Sequence, residues 1–183
     1  MKYHRLALAA AALAAFAGAA NAATFSYTGS TTGAPTFNRG LAGTPPSGLS
    51  AVGTAVHYGT LSFSVDTTGS YSFLSTASNW DNYLFLYAGA FNPASALTNA
   101  LVGNDDFPNV GVSGFSYALT QGATYLLVTT GFANDDFGSF ANSITGSGNV
   151  TPTVTAVPEP STYALLALGL VGVALLRRRH AKR

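Results

Sequence analysis

An all-β fold, an antiparallel β-sandwich of jelly-roll type, is what the central part of this 183-residue chain predicts, and three observations carry it. Between Ala23 and Ala156 Arg39 is the single Lys or Arg, and there is no glutamate, while Thr, Ser, Gly, Tyr and Phe abound; such a composition disfavours surface helices and favours half-buried strands. Apolar residues alternate with polar ones through Leu61, Phe63 and Val65, and again through Phe115, Tyr117 and Leu119, the period-two mark of a strand with one face buried. Turn chemistry separates the apolar stretches at Asp66-Thr67-Thr68-Gly69, Asn92-Pro93 and Gln121-Gly122. Several short strands at this spacing read as a sandwich.

From the N-terminus, Lys2 and Arg5 form a cationic start, Leu6 to Gly18 an apolar run, and Ala20-Asn21-Ala22 supplies the small residues that a signal peptidase requires. Residues 1–22 are therefore expected to be a signal peptide, a signal helix removed after Ala22. Strands are predicted near Phe25–Thr28, Val56–Val65, Ser70–Ser75, Asn82–Tyr87, Leu97–Val102, Gly114–Leu119, Thr124–Thr130 and Val150–Thr155. The stretch Gly29–Gly53, with Pro35, Pro45, Pro46 and several glycines, is expected to be a long loop crossing one end of the sandwich or covering an edge. Residues 23–143 make the sandwich domain. Residues 144–156, rich in Gly, Ser and Thr, are expected to be a linker that holds it away from the C-terminal segment.

The charge of the chain is divided unevenly. The formal net charge is +1, yet seven of the eight Lys and Arg residues lie in the two ends. Between Ala23 and Ala156 Arg39 stands against Asp66, Asp81, Asp105, Asp106, Asp135 and Asp136, a formal charge of −5. A domain so charged offers no basic stripe to phosphates, so nucleic acid is excluded as a partner. With no cysteine in the chain, no disulfide staples the exported domain.

The C-terminal segment, residues 157–183, has three parts: Val157-Pro158-Glu159-Pro160-Ser161, an apolar helix over residues 163–176, and a basic stop of Arg177, Arg178 and Arg179 with Lys182 and Arg183 behind it. The apolar run is short for a span that needs roughly 20 residues, and a cationic end stays on the cytoplasmic side. These three parts in this order resemble the PEP-CTERM sorting signal of Gram-negative bacteria. The resemblance implies recognition of the tail, with Pro158, Glu159 and Pro160 as its sorting and processing motif, by exosortase, a membrane cysteine protease, after transient anchoring in the inner membrane, with the cut either at this motif or within the apolar run. It also implies delivery to the cell surface or outside the cell, and association with exopolysaccharide and the biofilm matrix.

Within the domain, the tetrapeptide Asn104-Asp105-Asp106-Phe107 recurs as Asn134-Asp135-Asp136-Phe137 and holds four of the six carboxylates. Adjacent carboxylates repel unless a cation or backbone N–H groups neutralise them, and one arginine cannot serve both loops. Calcium suits such hard oxygens, taking 6–8 of them from a flexible loop. The alternative reading is of solvated Asx turns whose aspartates satisfy local N–H groups. The first copy is the better metal candidate, because Asp81, just before the strand Asn82–Tyr87, could be brought beside Asp105 or Asp106. The site so drawn is Asp81, Asn104, Asp105 and Asp106; Asn134, Asp135 and Asp136 form a second, weaker acidic loop. The stretch from Ser70 to Gly131 resembles bacterial pre-peptidase C-terminal domains and related CUB-like sandwiches, some of which bind calcium at such positions.

Catalysis finds little support. The exported domain has one histidine, His57, in a strand-like run, and no Gly-x-Ser-x-Gly elbow. Paired aspartates for glycoside cleavage would need to face one another across a cleft, and adjacent loop acids do not. Aromatic residues around the acidic loops, Trp80 and Phe107 above all, offer rings for sugars, although most strand aromatics belong to a core. The expected function is a non-enzymatic exported surface or matrix protein; a carbohydrate- or calcium-binding module is the alternative, and a hydrolase a remote one.

Overall fold

Strands with one apolar face must bury it against another layer, and the computed structural model, which describes residues 22–153, builds two layers. The strands in order are β1 (Ala23–Ser30), β2 (Thr36–Phe37), β3 (Val56–Val65), β4 (Gly69–Ala77), β5 (Asn82–Ala88), β6 (Ala100–Asn104), β7 (Val112–Leu119), β8 (Tyr125–Gly131), β9 (Ser139–Gly146) and β10 (Val150–Pro152). One sheet runs β1-β9-β4-β7 and the other β10-β3-β8-β5-β6, with β2 added beside β3. All pairs are antiparallel. With the short β2 and β10 set aside, the chain crosses between the sheets at every step except β5 to β6, and the order of the strands within each sheet is that of a jelly roll.

The core between the sheets is built from Phe63, Val65, Tyr71, Phe73, Leu84, Leu86, Leu127 and Ile144 with their neighbours. Burying each such side chain contributes about 1.5–3 kcal/mol. Strand β5 explains its own unbroken apolar sequence, because both of its faces are covered. Leu84 and Leu86 enter the sandwich, while Tyr83, Phe85 and Tyr87 join a second cluster with Phe37, Val56 and Val128. The long proline-rich loop lies over that cluster. Gly40 backs onto Phe85 and Leu97, and Gly43 pairs with Gly103 on the β6 edge. The loop thus covers an edge as its composition suggests, and also a sheet face; it begins after Ser30 rather than at Gly29, since Gly29 and Ser30 are the end of β1, and it contains the short strand β2.

Two expectations are corrected. The segment read as a linker from residue 144 belongs to the sandwich as far as Pro152: Ile144 is fully buried in β9, which ends at Gly146, and after a turn over 147–149 Val150–Pro152 pairs with β3. The strand expected from Leu97 begins at Ala100, because a 3₁₀ turn at Pro93–Ser95, capped by the Asn92 side chain, occupies the connection. Strand β9 has no counterpart among the predicted strands. Among the described residues no helix is long and apolar enough to cross a membrane. The signal segment up to residue 21, the apolar run 163–176, and the sorting residues Pro158, Glu159, Pro160, Arg177, Arg178 and Arg179 lie outside the described residues.

Candidate metal centre

Antiparallel neighbours place the start of one strand beside the end of the next. Asp81 directly precedes β5 and Asp105 directly follows β6, and these strands pair with Leu84 opposite Asn104. The β4–β5, β6–β7 and β8–β9 loops therefore gather at one end of the sandwich. There Asp81, Asp105 and Asp106 each present a carboxylate oxygen, all within 4.8 Å of one another. Asp81 and Asp105 are half-buried and Asp106 is exposed.

This group lacks internal neutralisation. Asp81 Oδ1, Asp105 Oδ1 and Asn104 Oδ1 are all buried and accept no hydrogen bond, a costly state for polar atoms. Burial, reinforced by the charges of Asp81 and Asp106, pushes the Asp105 carboxyl up to about 6. Burial likewise raises Asp81, with Asp106 and Asp136 adding to it and a backbone hydrogen bond from Gly111 opposing it. Two burdened acids sharing a pocket with a third are a cluster in want of positive charge.

Arg39 does not provide enough of it. The residue is 2% exposed, and its guanidinium lies between the rings of Tyr83 and Phe132, 4.2 and 4.8 Å from their centroids. Nε and Nη2 donate to the Phe132 carbonyl at 3.0 and 2.8 Å, and Nη1 donates to the Gly40 carbonyl at 2.9 Å. Its hydrogen bonds all go to backbone carbonyls and none to a carboxylate, so it acts on the acids through the field that moderates Asp105 and Asp81.

The second acidic loop has another task. The Asp81 N–H donates to Asp136 Oδ1 at 3.2 Å and the Ala133 N–H to Asp136 Oδ2 at 2.8 Å. The Phe132 N–H donates to the Asp81 carbonyl at 2.9 Å, so the β8–β9 loop grips Asp81 from both sides of its backbone. Asn134 accepts from the Ala55 N–H at 2.7 Å and donates to Thr54 Oγ1 at 3.1 Å. Asp135 is exposed. Gly131 is required here by close approach: a Cβ on it would lie 2.1 Å from the Asp136 carbonyl oxygen.

Residues that the sequence did not single out complete the support. Ser113 Oγ donates to the Asp105 carbonyl and, at 2.7 Å, lies against the Asn82 carbonyl, while Asn82 Nδ2 donates to Ser75 Oγ at 2.8 Å. Three buried polar residues, Ser75, Asn82 and Ser113, thus tie the two sheets together beneath the cluster. Their only signal in the sequence is a polar residue where strand alternation calls for an apolar one.

Of the aromatics, Tyr83, Phe85 and Tyr87 are core and Phe140 is buried. Phe107 is 55% exposed, whereas Trp80 is half-buried with Nε1 donating to the Ser139 carbonyl at 3.0 Å. A depression of 350 Å³ beside Asp81 is lined by Ala77, Asn79, Trp80, Asp81, Val110 and Gly111. His57 Nδ1 sits against the Ala34 carbonyl and its ring meets Phe137 edge-on at 5.1 Å, so it is engaged structurally.

Comparison with known proteins places one segment. Residues 156–179 match the PEP-CTERM protein-sorting motif, so the chain carries that signal where its three-part tail is expected to. The motif implies an exported protein, sorted to the cell envelope or surface with exosortase processing. No curated protein matches the chain. Among solved structures, the K3 cleaved adhesin domain of Lys-gingipain from Porphyromonas gingivalis w83 is similar, with 16% identity over 67% of this chain and 91% of that one and a TM-score of 0.34.

Proposed function

We propose that the chain is a non-catalytic surface or extracellular-matrix protein whose sandwich domain is held in its working form by calcium. The observation that carries this reading is the convergence of Asp81, Asp105 and Asp106 within 4.8 Å with buried, unpartnered oxygens on Asp81, Asn104 and Asp105. Oxygen donors alone, in a loop rather than a rigid cage, fit calcium better than zinc or magnesium. Calcium would supply the positive charge that Arg39 withholds, and Asp81, Asn104, Asp105 and Asp106 would hold it. Transient anchoring in the inner membrane through residues 163–176, release by exosortase and retention in exopolysaccharide complete the proposal.

Calorimetry of the processed protein tests it. Adding calcium to chelator-treated protein should raise the melting temperature by several degrees, since saturation at a hundred times Kd stabilises by about 2.7 kcal/mol. No shift would remove calcium from the account. A second reading, sugar capture, is favoured by one observation: the depression beside Asp81 runs between Trp80 and the exposed Val110, next to the carboxylate cluster. A pull-down on the producer's own exopolysaccharide, with and without calcium, distinguishes a binding module from an inert coat.

A further inference from the structure

The two sheets treat their edges differently. In the larger sheet, β10 is three residues long and ends in Pro152, β2 is two residues long, and β6 is five residues long, with a register shift opposite Leu86/Tyr87 and the Gly43 loop laid against it. Shortness, proline, irregularity and cover are the means by which proteins keep strand edges from pairing with other chains. In the smaller sheet the edges are β1 and β7, eight residues each, in unbroken register with β9 and β4. Neither contains a proline or a charged residue. Among the described residues β1 pairs only with β9, and β7 only with β4. The six aspartates of the domain all stand outside the four strands of this sheet, so its net negative charge does not guard these edges.

We propose that the partner of each edge is a second copy of this chain, with β1 of one copy pairing with β7 of the next. Strand direction favours this pairing. Since β1, β9, β4 and β7 are antiparallel in succession, β1 and β7 run oppositely; a copy displaced sideways without inversion sets its β7 antiparallel to β1 and continues the sheet. The side chains agree. Phe25 and Tyr27 on β1, and Phe115 and Tyr117 on β7, face the core but are only partly buried. In the joined ladder they become cross-strand neighbours at about 5 Å, where aromatic pairs stabilise a sheet. Pairing one edge with the other is heterologous, so it leaves a free β1 and a free β7 at the ends and extends into an open filament.

Sedimentation velocity on the processed protein recovered from producing cells tests this. The native protein should give an open series of sizes that grows with concentration. Ser26→Lys/Thr28→Lys charges β1, and Ser116→Lys/Ala118→Lys charges β7; all four side chains are exposed. Each variant alone should be monomeric, and an equimolar mixture should stop at dimers, because one free β1 meets one free β7. A native protein monomeric at every concentration would overturn the proposal. So would dimers of either variant alone, which would mean like edges pairing, or persistent assembly of a variant blocked on both edges. Unchanged melting temperatures verify the folds, and Thr24→Lys and Ala118→Lys singly repeat the test if a double variant melts early.

Discussion

Two identical tetrapeptides, Asn104-Asp105-Asp106-Phe107 and Asn134-Asp135-Asp136-Phe137, stand at the same end of one sandwich and behave in opposite ways. In the second, Asn134 and Asp136 have their hydrogen bonds satisfied by backbone N–H groups and Thr54. In the first, Asn104 and Asp105 keep buried oxygens without a partner. Even position by position the roles cross. Asp105 is half-buried and strained in charge while its counterpart Asp135 is exposed; Asp106 is exposed while its counterpart Asp136 braces a neighbouring loop. Where a loop leaves its strand decides which aspartate meets N–H groups and which meets another aspartate. The second loop is consequently part of the first one's site, since Asp136 fixes the backbone of Asp81.

The sharpest way to break this contrast is to remove the brace. Asp136→Ala leaves the Asp81 and Ala133 N–H groups without acceptors and should destabilise the protein by about 2–3 kcal/mol, with or without calcium, as charge-assisted hydrogen bonds of this kind do; urea unfolding in chelator measures it. Asp105→Asn should act in the other direction. In the metal-free protein at neutral pH it relieves a carboxylate held up to about 6 and should stabilise by the order of 1 kcal/mol, while abolishing the calcium-dependent rise in melting temperature. A calcium response that survives Asp105→Asn would separate the cluster from the metal.

Legibility in the sequence depends on which residues speak for a strand. Leu61, Phe63 and Val65 alternate visibly, and β3 has the ends that its sequence predicts. Strand β9 escapes the same reading because its inward residues are Phe140, Asn142, Ile144 and Gly146, only two of them apolar. Asn142 is buried by donating to Tyr27 Oη and Thr129 Oγ1, and Gly146 is there because a Cβ would lie 2.2 Å from the Tyr71 ring. Both facts belong to the partner strands and cannot be seen in β9's own sequence. The first acidic loop is readable for the opposite reason: Asp81 and Asp105 flank two consecutive strands that form a pair, so sequence order alone predicts their approach. The brace is not, since Asp136 reaches Asp81 from the end of β8, a neighbour of β5 that is distant in the chain.

The pH dependence sharpens the comparison with a smaller effect. Asp105 has a folded-state pKa of about 6, above the ordinary carboxylate value near 3.9. Between those values the folded state binds more protons than the unfolded one, so stability of the metal-free protein rises as pH falls from 7 towards 4. With calcium in excess the sign reverses over the upper part of that window, because protons compete with the metal for the same oxygens. Melting curves in chelator and in calcium should therefore converge as pH drops through 6, by a few degrees, and parallel curves would dissociate Asp105 from the metal.

The smallest effect is the most discriminating. Asp135 occupies the same place in its tetrapeptide as Asp105, yet it is exposed and makes no side-chain hydrogen bond among the described residues. Asp135→Asn should change stability by less than about 0.5 kcal/mol, as surface substitutions without partners do, and should leave the calcium shift unchanged. If charge density at this end of the sandwich were all that held a cation, removing either aspartate would weaken it alike. If the three converging carboxylates hold it, Asp105→Asn abolishes the shift and Asp135→Asn does not, although the two variants have the same net charge and alter the same position of the same motif.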